Sequence, residues 1–336
     1  MARLVGVLLM VGVLYAVLMS AFPEALSLQN HQNLARRLGF YGVLTLGVGI
    51  LIVAGGIDLS IGSLVGLGAV CFGILLKGID AEPSLFGLTF KLHIPAQPPA
   101  LAALVIILGA ALIGVAHGLL ITKLNLQPFL VTLCGLFMYR GIARWASKET
   151  SIGLGDAPGV EEFRDLLVSG KLFGVSHLLL WLLLIAALLA VLLHGSVYGR
   201  YLYALGYNEQ AARYAGINTN GYKILAYVIC STLAGLGGVL FLLEYRNAQP
   251  SSAGSLLELY AITGAVLGGC SLRGGEGSVL GMLLGAAVLP LLAQICLFSR
   301  YIGSTLEYTV IGAALLFGTI VNEVLARRAA ARARGK

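Results

Sequence analysis

The chain has 336 residues, of which 58% are hydrophobic and 11% charged, with a formal charge of +7. A soluble domain carries about 25% charged residues, so this chain has too little polar surface to cover its core in water. Composition excludes a soluble globular protein and points to an integral membrane protein. The basic residues Arg327, Arg328, Arg332, Arg334 and Lys336 crowd the end of the chain. A basic end directly after an apolar helix marks the cytoplasmic side and lies against anionic headgroups, so the charge does not call for nucleic acid.

The apolar stretches are long enough for helices that cross a bilayer and too long for the short alternating strands of a barrel. Leu4 to Phe22 follows a single Arg3, in the manner of a signal peptide. Its apolar core exceeds the usual 7–15 or so residues and no clean small-residue cleavage site follows, so it reads as a retained first helix. Pro23 to Arg37 is polar enough to be a connection. Phe40–Val53 and Leu64–Leu76 read as the next two spans.

Between them stands Ala54-Gly55-Gly56-Ile57-Asp58-Leu59-Ser60-Ile61-Gly62-Ser63. A carboxylate at a helix centre costs about 2.5–3.5 kcal/mol on insertion scales, so such a group is usually partnered or functional. Glycines on both sides let the backbone leave helical geometry, and broken backbone survives at membrane depth only inside protein or beside a water-filled cavity. Asp58 and Ser60 are therefore candidates for the gate of a translocation path. The plainer reading has Asp58 capping the helix that follows, and the two are compatible.

Lys77 to Pro99 reads as a loop closed by a proline-rich end that forbids helix. Ala100 to Ile121 is a full span whose Gly109, Gly114 and Gly118 permit close helix contact. Its His117 suits packing or hydrogen bonding better than ligation. Pro128 starts a shorter segment, Phe129 to Ala143, whose Arg140, with Arg144 one turn on, reads as snorkelling to the interface. Trp145 to Ser176 is polar and cannot span. Leu178 to Leu193 is uniformly apolar.

Gly199 to Gly221 is polar and separates two clear spans. Within it Asn208 suits an N-cap, Glu209 the positive helix end and Gly216 a left-handed C-cap, with Ile217 folding back on the last turn. That describes a two-turn helix outside the bilayer. Tyr222 to Leu243 spans, Glu244 to Ser255 is a loop, and Leu256 to Cys270 is short and contains Glu258. A glycine-rich turn, Gly268 to Ser278, precedes Val279–Phe298 and Leu306–Leu325. The sum is about ten transmembrane helices in an all-α integral membrane fold, with both termini cytoplasmic. Lys148, Arg164 and Lys171 fall on the outer side, so charge supports this topology only weakly.

The five cysteines, Cys71, Cys134, Cys230, Cys270 and Cys296, form no C-x-x-C pair or metal-ligand spacing and read as small buried hydrophobes. No G-x-x-x-x-G-K-[ST] loop is present to cradle nucleotide phosphates. Gly153-Leu154-Gly155-Asp156 spells the G-x-G-D of intramembrane aspartyl proteases but falls in a polar stretch and reads as a turn.

Four motifs in order carry a resemblance: Gly55 to Ser63; Gln127-Pro128-Phe129 with Thr132-Leu133 and Arg140-Gly141; Gly206-x-Asn208 with Ala211-Ala212-Arg213-x-Ala215-Gly216-Ile217; and Gly268-Gly269 with Leu272-x-Gly274-Gly275-x-Gly277-Ser278-Val279-x-Gly281. On these the chain resembles, over about Asn33 to Val324, the permease subunits of bacterial ABC importers for monosaccharides, the ribose/galactose/xylose-type class. The resemblance implies a single permease domain over 1–336, with an external loop at about 145–176, a cytoplasmic coupling loop at about 199–221 and a basic cytoplasmic tail at 326–336. It also implies a bacterial inner-membrane location, a second permease subunit, two cytoplasmic ATPase subunits and an extracytoplasmic sugar-binding protein. The chain itself would bind no cofactor, because ATP and Mg belong to the ATPase, and would be no enzyme. Asn208, Glu209, Ala212, Arg213 and Gly216 match the family's coupling helix, where Ala215 replaces the usual Ser. A branched-chain amino-acid permease of related architecture and an ion-coupled secondary transporter are the alternatives. The latter would need deep carboxylates, for which only Asp58 and Glu258 qualify.

Overall fold

The structure is a computed structural model that describes residues 2–81, 84–85, 88–89, 92–299, 306, 308–313, 316 and 320. In chain order its helices are α1 (Ala2–Ala21), α2 (Leu28–Val53), α3 (Ile61–Lys77), α4 (Pro99–Lys123), α5 (Pro128–Ala146), α6 (Val160–Arg164), α7 (His177–Ala190), α8 (Val197–Tyr207), α9 (Glu209–Tyr214), α10 (Thr219–Tyr245), α11 (Leu257–Leu267) and α12 (Val279–Phe298). Short antiparallel pairs join Ile79–Ala81 (β1) to Leu92–Ile94 (β4), and Ser84–Leu85 (β2) to Leu88–Thr89 (β3). Ile152–Gly153 (β5) pairs with Asn247–Ala248 (β8), and Lys171–Leu172 (β6) with Val175–Ser176 (β7).

Six helices are long and apolar enough to cross a membrane: Leu4–Ala21, Leu28–Val53, Pro99–Lys123, His177–Gly195, Thr219–Tyr245 and Val279–Phe298. Ile61–Lys77 and Leu257–Leu267 are shorter apolar helices. The protein is thus an all-α integral membrane protein with small β ribbons in its connections, and the expected count of ten spans is not reached among the described residues. The tail at 326–336 and most of Leu306–Leu325 lie outside those residues.

Two sequence expectations are corrected here. Pro23 to Arg37 is no open connection: after a 3₁₀ turn at Pro23–Leu26, α2 begins at Leu28, where the Ser27 hydroxyl accepts from the Asn30 amide at 3.3 Å. Its polar first turns find partners. The Asn30 side chain donates to Ala25 O (2.8 Å) and accepts from Gln294 Nε2 (2.6 Å), both within a buried setting. Likewise, the described residues between Lys77 and Pro99 include two β ribbons, Ile79–Ala81 with Leu92–Ile94 and Ser84–Leu85 with Leu88–Thr89, where the sequence reads as a loop.

The chain divides into two compact units, each drawn from several stretches. The first comprises Met1–Gly55, Leu182–Ile217 and Leu259–Lys336, the second Gly56–Trp181 and Asn218–Glu258. In the first, α12 packs against α1 and α2, and α2 and α12 bury 78% and 72% of their apolar windows against 11% for α1. In the second, α10 is the central helix and lies along α4 and α3, with α5 against α3. Two threonine hydroxyls inside these apolar helices bond back to the preceding turn, Thr122 to Gly118 O (2.7 Å) and Thr232 to Val228 O (2.6 Å), which satisfies their donors within the helix.

The α4–α10 contact is set by small residues. A Cβ on Gly114 would meet Tyr227 O and Val228 Cα, each at 2.7 Å, whereas one on Gly109 meets nothing within 4 Å. Gly114→Leu should therefore destabilise the detergent-solubilised protein by about 1–3 kcal/mol, the usual cost of overpacking. Gly109→Leu should leave it unchanged. Paired thermal melts check this, and equal melting temperatures for the two variants would contradict it.

Candidate functional site

Asp58 is fully buried in the second unit, just ahead of α3, and Ser60 is fully buried beside it. A buried carboxylate must be hydrogen-bonded. Asp58 Oδ1 accepts from the Ser60 amide at 2.8 Å and from the Ser60 hydroxyl at 2.6 Å. This two-residue bridge sets up the first turn of α3, where the Ser63 hydroxyl donates to Ser60 O at 2.7 Å. Asp58 therefore does not cap α3: the N-cap is Ser60, which has no side-chain cap bond, and the carboxylate holds that residue rather than an amide inside the first turn.

The other carboxylate oxygen, Oδ2, lies 3.7 Å from His117 Nδ1 on α4, and neither atom has a hydrogen-bond partner among the described residues. His117 is buried and its Nε2 is 2.7 Å from the Tyr139 hydroxyl on α5. The carboxylate favours a proton on Nδ1, which leaves Nε2 to accept from Tyr139. Tyr227 on α10 stands edge-on to His117 at 6.4 Å between centroids and donates its hydroxyl to Ile57 O at 3.2 Å. Side chains of α4, α5 and α10 therefore converge on the segment that starts α3. His117 is a hydrogen-bonding residue, as its sequence context suggests, although nothing local to it in the chain names Asp58 or Tyr139 as neighbours.

Arg140 departs from expectation. It does not snorkel to an interface but donates through Nη1 to the carbonyls of Pro250 (3.3 Å) and Ala253, and through Nη2 to Ser255 Oγ (3.4 Å). Arg144, one turn on, is exposed and pairs with Glu149 at 2.8 Å. The G-x-G-D tetrad lies on β5 and the turn after it, with Asp156 exposed.

The second candidate is the Gly199–Gly221 stretch of the first unit. Asn208 caps α9 by accepting from the Ala211 amide at 3.0 Å. The helix stops at Gly216, whose φ of 81° is free for glycine and strained for other residues. Its end is a Schellman turn: Ile217 N donates to Ala212 O (3.1 Å) and Gly216 N to Arg213 O (3.0 Å). Glu209 and Arg213 form an i,i+4 pair at 3.3 Å. Asn208, Arg213 and Gly216 are exposed and Glu209 partly so, but Ala212 is buried and forms the foot of the helix rather than its outer face. Sequence reasoning missed Tyr207, just ahead of α9, and Tyr214, its last residue, which are 84% and 89% exposed. Two large aromatics beside a polar helix were the available signal.

Glycines anchor the end of α8, which leads into this helix, to its unit. A side chain on Gly206 would strike Val53 O and Gly275 N, and Gly275 N itself donates to Val53 O at 2.9 Å. A Cβ on Gly274 would meet Gly206 O at 2.6 Å and Gly55 Cα at 3.0 Å. The glycine-rich turn thus presses main chain against main chain between the end of α2 and the approach to α9. Tyr203 fastens the same seam by donating to Gly277 O at 2.7 Å. Burial, aided by Cys270, pushes its phenol up to about 12, so the proton needed for that bond stays on at neutral pH.

Removing the Asp58 carboxylate strands two donors of Ser60 in a dry site. Asp58→Ala should destabilise the protein by about 1–3 kcal/mol, the cost of unmade buried hydrogen bonds. Asp58→Asn, which retains an acceptor oxygen, should lose less. Melting in detergent checks the order, and an Asp58→Ala protein as stable as the parent would refute the assignment.

Residues 30–319 match the family model described as the branched-chain amino acid transport system / permease component. The chain is 35% identical over 282 residues to the ribose import permease protein RbsC of Escherichia coli K12, covering 83% of this chain and 81% of that protein. It is 32% identical over 279 residues to RbsC of Bacillus subtilis 168, covering 82% and 79%. To the galactose/methyl galactoside import permease protein MglC of Escherichia coli K12 it is 29% identical over 323 residues, covering 95% and 94%. No solved structure matches it. With the family model spanning most of the chain and these relatives aligned nearly end to end, the protein belongs to this family of membrane transport permeases.

Proposed function

We propose that this chain is the membrane-spanning subunit of an ATP-driven importer that translocates a monosaccharide delivered by an extracytoplasmic binding protein. The observation that carries the reading is α9: a short, doubly capped helix with an exposed, charged outer face, following directly on α8, whose end rests on a backbone seam. Such an element suits the groove of a soluble partner. The chain carries no Walker-type phosphate loop, so the partner is the ATPase that binds ATP and Mg. Asn208, Glu209, Arg213 and Gly216 meet it, with Ala212 packing beneath them. Asp58 and Ser60 hold the start of α3 at the gate.

In this mechanism ATP binding closes the ATPase pair and draws α9 inward. Two permease subunits then rock and expose the path to the other side. The chain works as one permease domain in the bacterial inner membrane, with both termini, the 199–221 loop and the 326–336 tail in the cytoplasm and the 145–176 region facing the binding protein. Sugar as cargo is supported by the ribose and galactose permeases among its relatives. The family model's description favours a second reading, branched-chain amino acids; competition by leucine for uptake would select it.

Arg213 is 60% exposed and one turn from Glu209. Arg213→Glu puts like charge beside Glu209 and reverses the face offered to the ATPase, and a like-charge contact costs several kcal/mol. Sugar uptake by the assembled transporter should fall more than about tenfold, since 1.4 kcal/mol is already a factor of ten, while membrane insertion is unchanged. Normal uptake by that variant would remove α9 from the coupling role.

A further inference from the structure

The segment that follows α10 does not stay at the end of the bundle. It starts at the far end of α3: β8 pairs with β5, and a Cβ on Gly73 would strike Ile152 of β5. It then runs back along α3. A Cβ on Gly66 would strike Ala253 O, and one on Gly62 would strike Gly254 O and the Glu258 carboxylate. From Gly73 to Gly62 is eleven helical steps, or about 16 Å at 1.5 Å per residue. The chain therefore re-enters alongside an apolar helix as turns, not as helix, closed by Ala253 N to Gln249 O (2.7 Å) and Ser255 N to Ser252 O (3.0 Å).

Non-helical backbone is tolerated at membrane depth only where protein or water satisfies it. One side of this segment is satisfied by protein. Pro250, Ala253 and Gly254 are buried, and Arg140 supplies donors to the carbonyls of Pro250 and Ala253. The other side presents Gln249, Ser251, Ser252 and Ser255, all exposed, with the Ser255 hydroxyl at its edge also accepting from Arg140 Nη2 at 3.4 Å. Four uncharged polar side chains facing outward from a re-entrant turn would be costly against lipid. They require water or a polar ligand.

We infer that Gln249, Ser251, Ser252 and Ser255 line the translocation path and make its transient contacts with a neutral, polyhydroxylated cargo. Hydroxyls and a carboxamide both donate and accept, as sugar hydroxyls do. The segment offers no free cation to a carboxylate ligand, because Arg140 is engaged by carbonyls and lies in the field of Glu258. That chemistry favours a sugar over an amino acid. Arg140 is a positioning residue, which holds the turn in place without facing the cargo. The inference rests on the transporter reading above and adds to it the place where cargo is met.

The test uses the whole transporter, permease with ATPase and binding protein, in proteoliposomes. The exposed Cys134 is replaced by Ser, and Ser251→Cys, Ser252→Cys and Ser255→Cys are treated with a charged, membrane-impermeant methanethiosulfonate. Leu112→Cys, at an apolar position 70% exposed on α4, is the lipid-facing control. The thiolate is the reactive species and a thiol in hydrocarbon stays protonated, so the three path variants should react more than about tenfold faster than the control. Millimolar ribose or galactose should slow that reaction, and leucine should not. Serine positions as inert as the control, or slowed by leucine alone, or slowed by no solute, would overturn the inference. Ribose and galactose uptake by the unmodified transporter is measured in parallel. Intact uptake with inert serines sinks this inference alone, whereas absent sugar uptake with reactive serines sinks the transporter reading and with it the cargo assigned here.

Discussion

A polar group in the hydrocarbon layer must find a partner in the protein or in a water-filled cavity, and this one constraint explains most of what is unusual in the chain. Long apolar helices meet it without help, since their amides and carbonyls bond within the turn. Three places leave helical geometry: the turn before α3, the glycine-rich turn before α12, and the segment of turns after α10. Each has its own solution. Asp58 supplies an acceptor for Ser60, Val53 and Gly275 close a main-chain bond, and Arg140 reaches across to the carbonyls of Pro250 and Ala253. At the first and third of these points the group is satisfied by a charged side chain, and Asp58 and Arg140 are the residues that stand out in an apolar sequence.

The glycines follow from the same constraint. Where a main-chain donor must approach a main-chain acceptor from another element, a Cβ is an obstacle. Gly206 and Gly274 sit where a side chain would strike the partner backbone. The seam they form joins the end of α2 to the approach to α9 through covalent chain and hydrogen bonds, with few rotatable side chains between. A seam of that kind suits the role proposed for α9, because few side-chain rotamers stand between its two ends.

What the sequence disclosed was governed by distance along the chain. The ends of α9 were legible because capping is local: Asn208 and Gly216 act on residues three to five positions away. The apolar spans were legible because burial in lipid needs only length and composition. Arg140 was misread because its partners lie 110 and 113 residues further on, and no periodicity announces a carbonyl that needs a donor. The polar start of α2 looked like a connection for a similar reason, since Asn30 is answered by Gln294, 264 residues away. Asp58 fell between these cases. Its bond to Ser60 is local and foreseeable, while its approach to His117 depends on how α4 packs.

The distribution of charge bears on what a path through this protein can carry. The buried or half-buried charged groups of the second unit are taken up by the protein itself: Asp58 faces Ser60 and His117, and Arg140 is divided between carbonyls and the field of Glu258. An ionic cargo would have to compete with these contacts or go uncompensated in a medium where an unpaired charge is expensive. A neutral cargo with many hydroxyls meets neither difficulty. In the path proposed above, weak and replaceable hydrogen bonds to serine and glutamine side chains would let such a cargo pass without holding it. Selectivity would then have no need to reside in that path, and recognition could be left to the proposed binding protein.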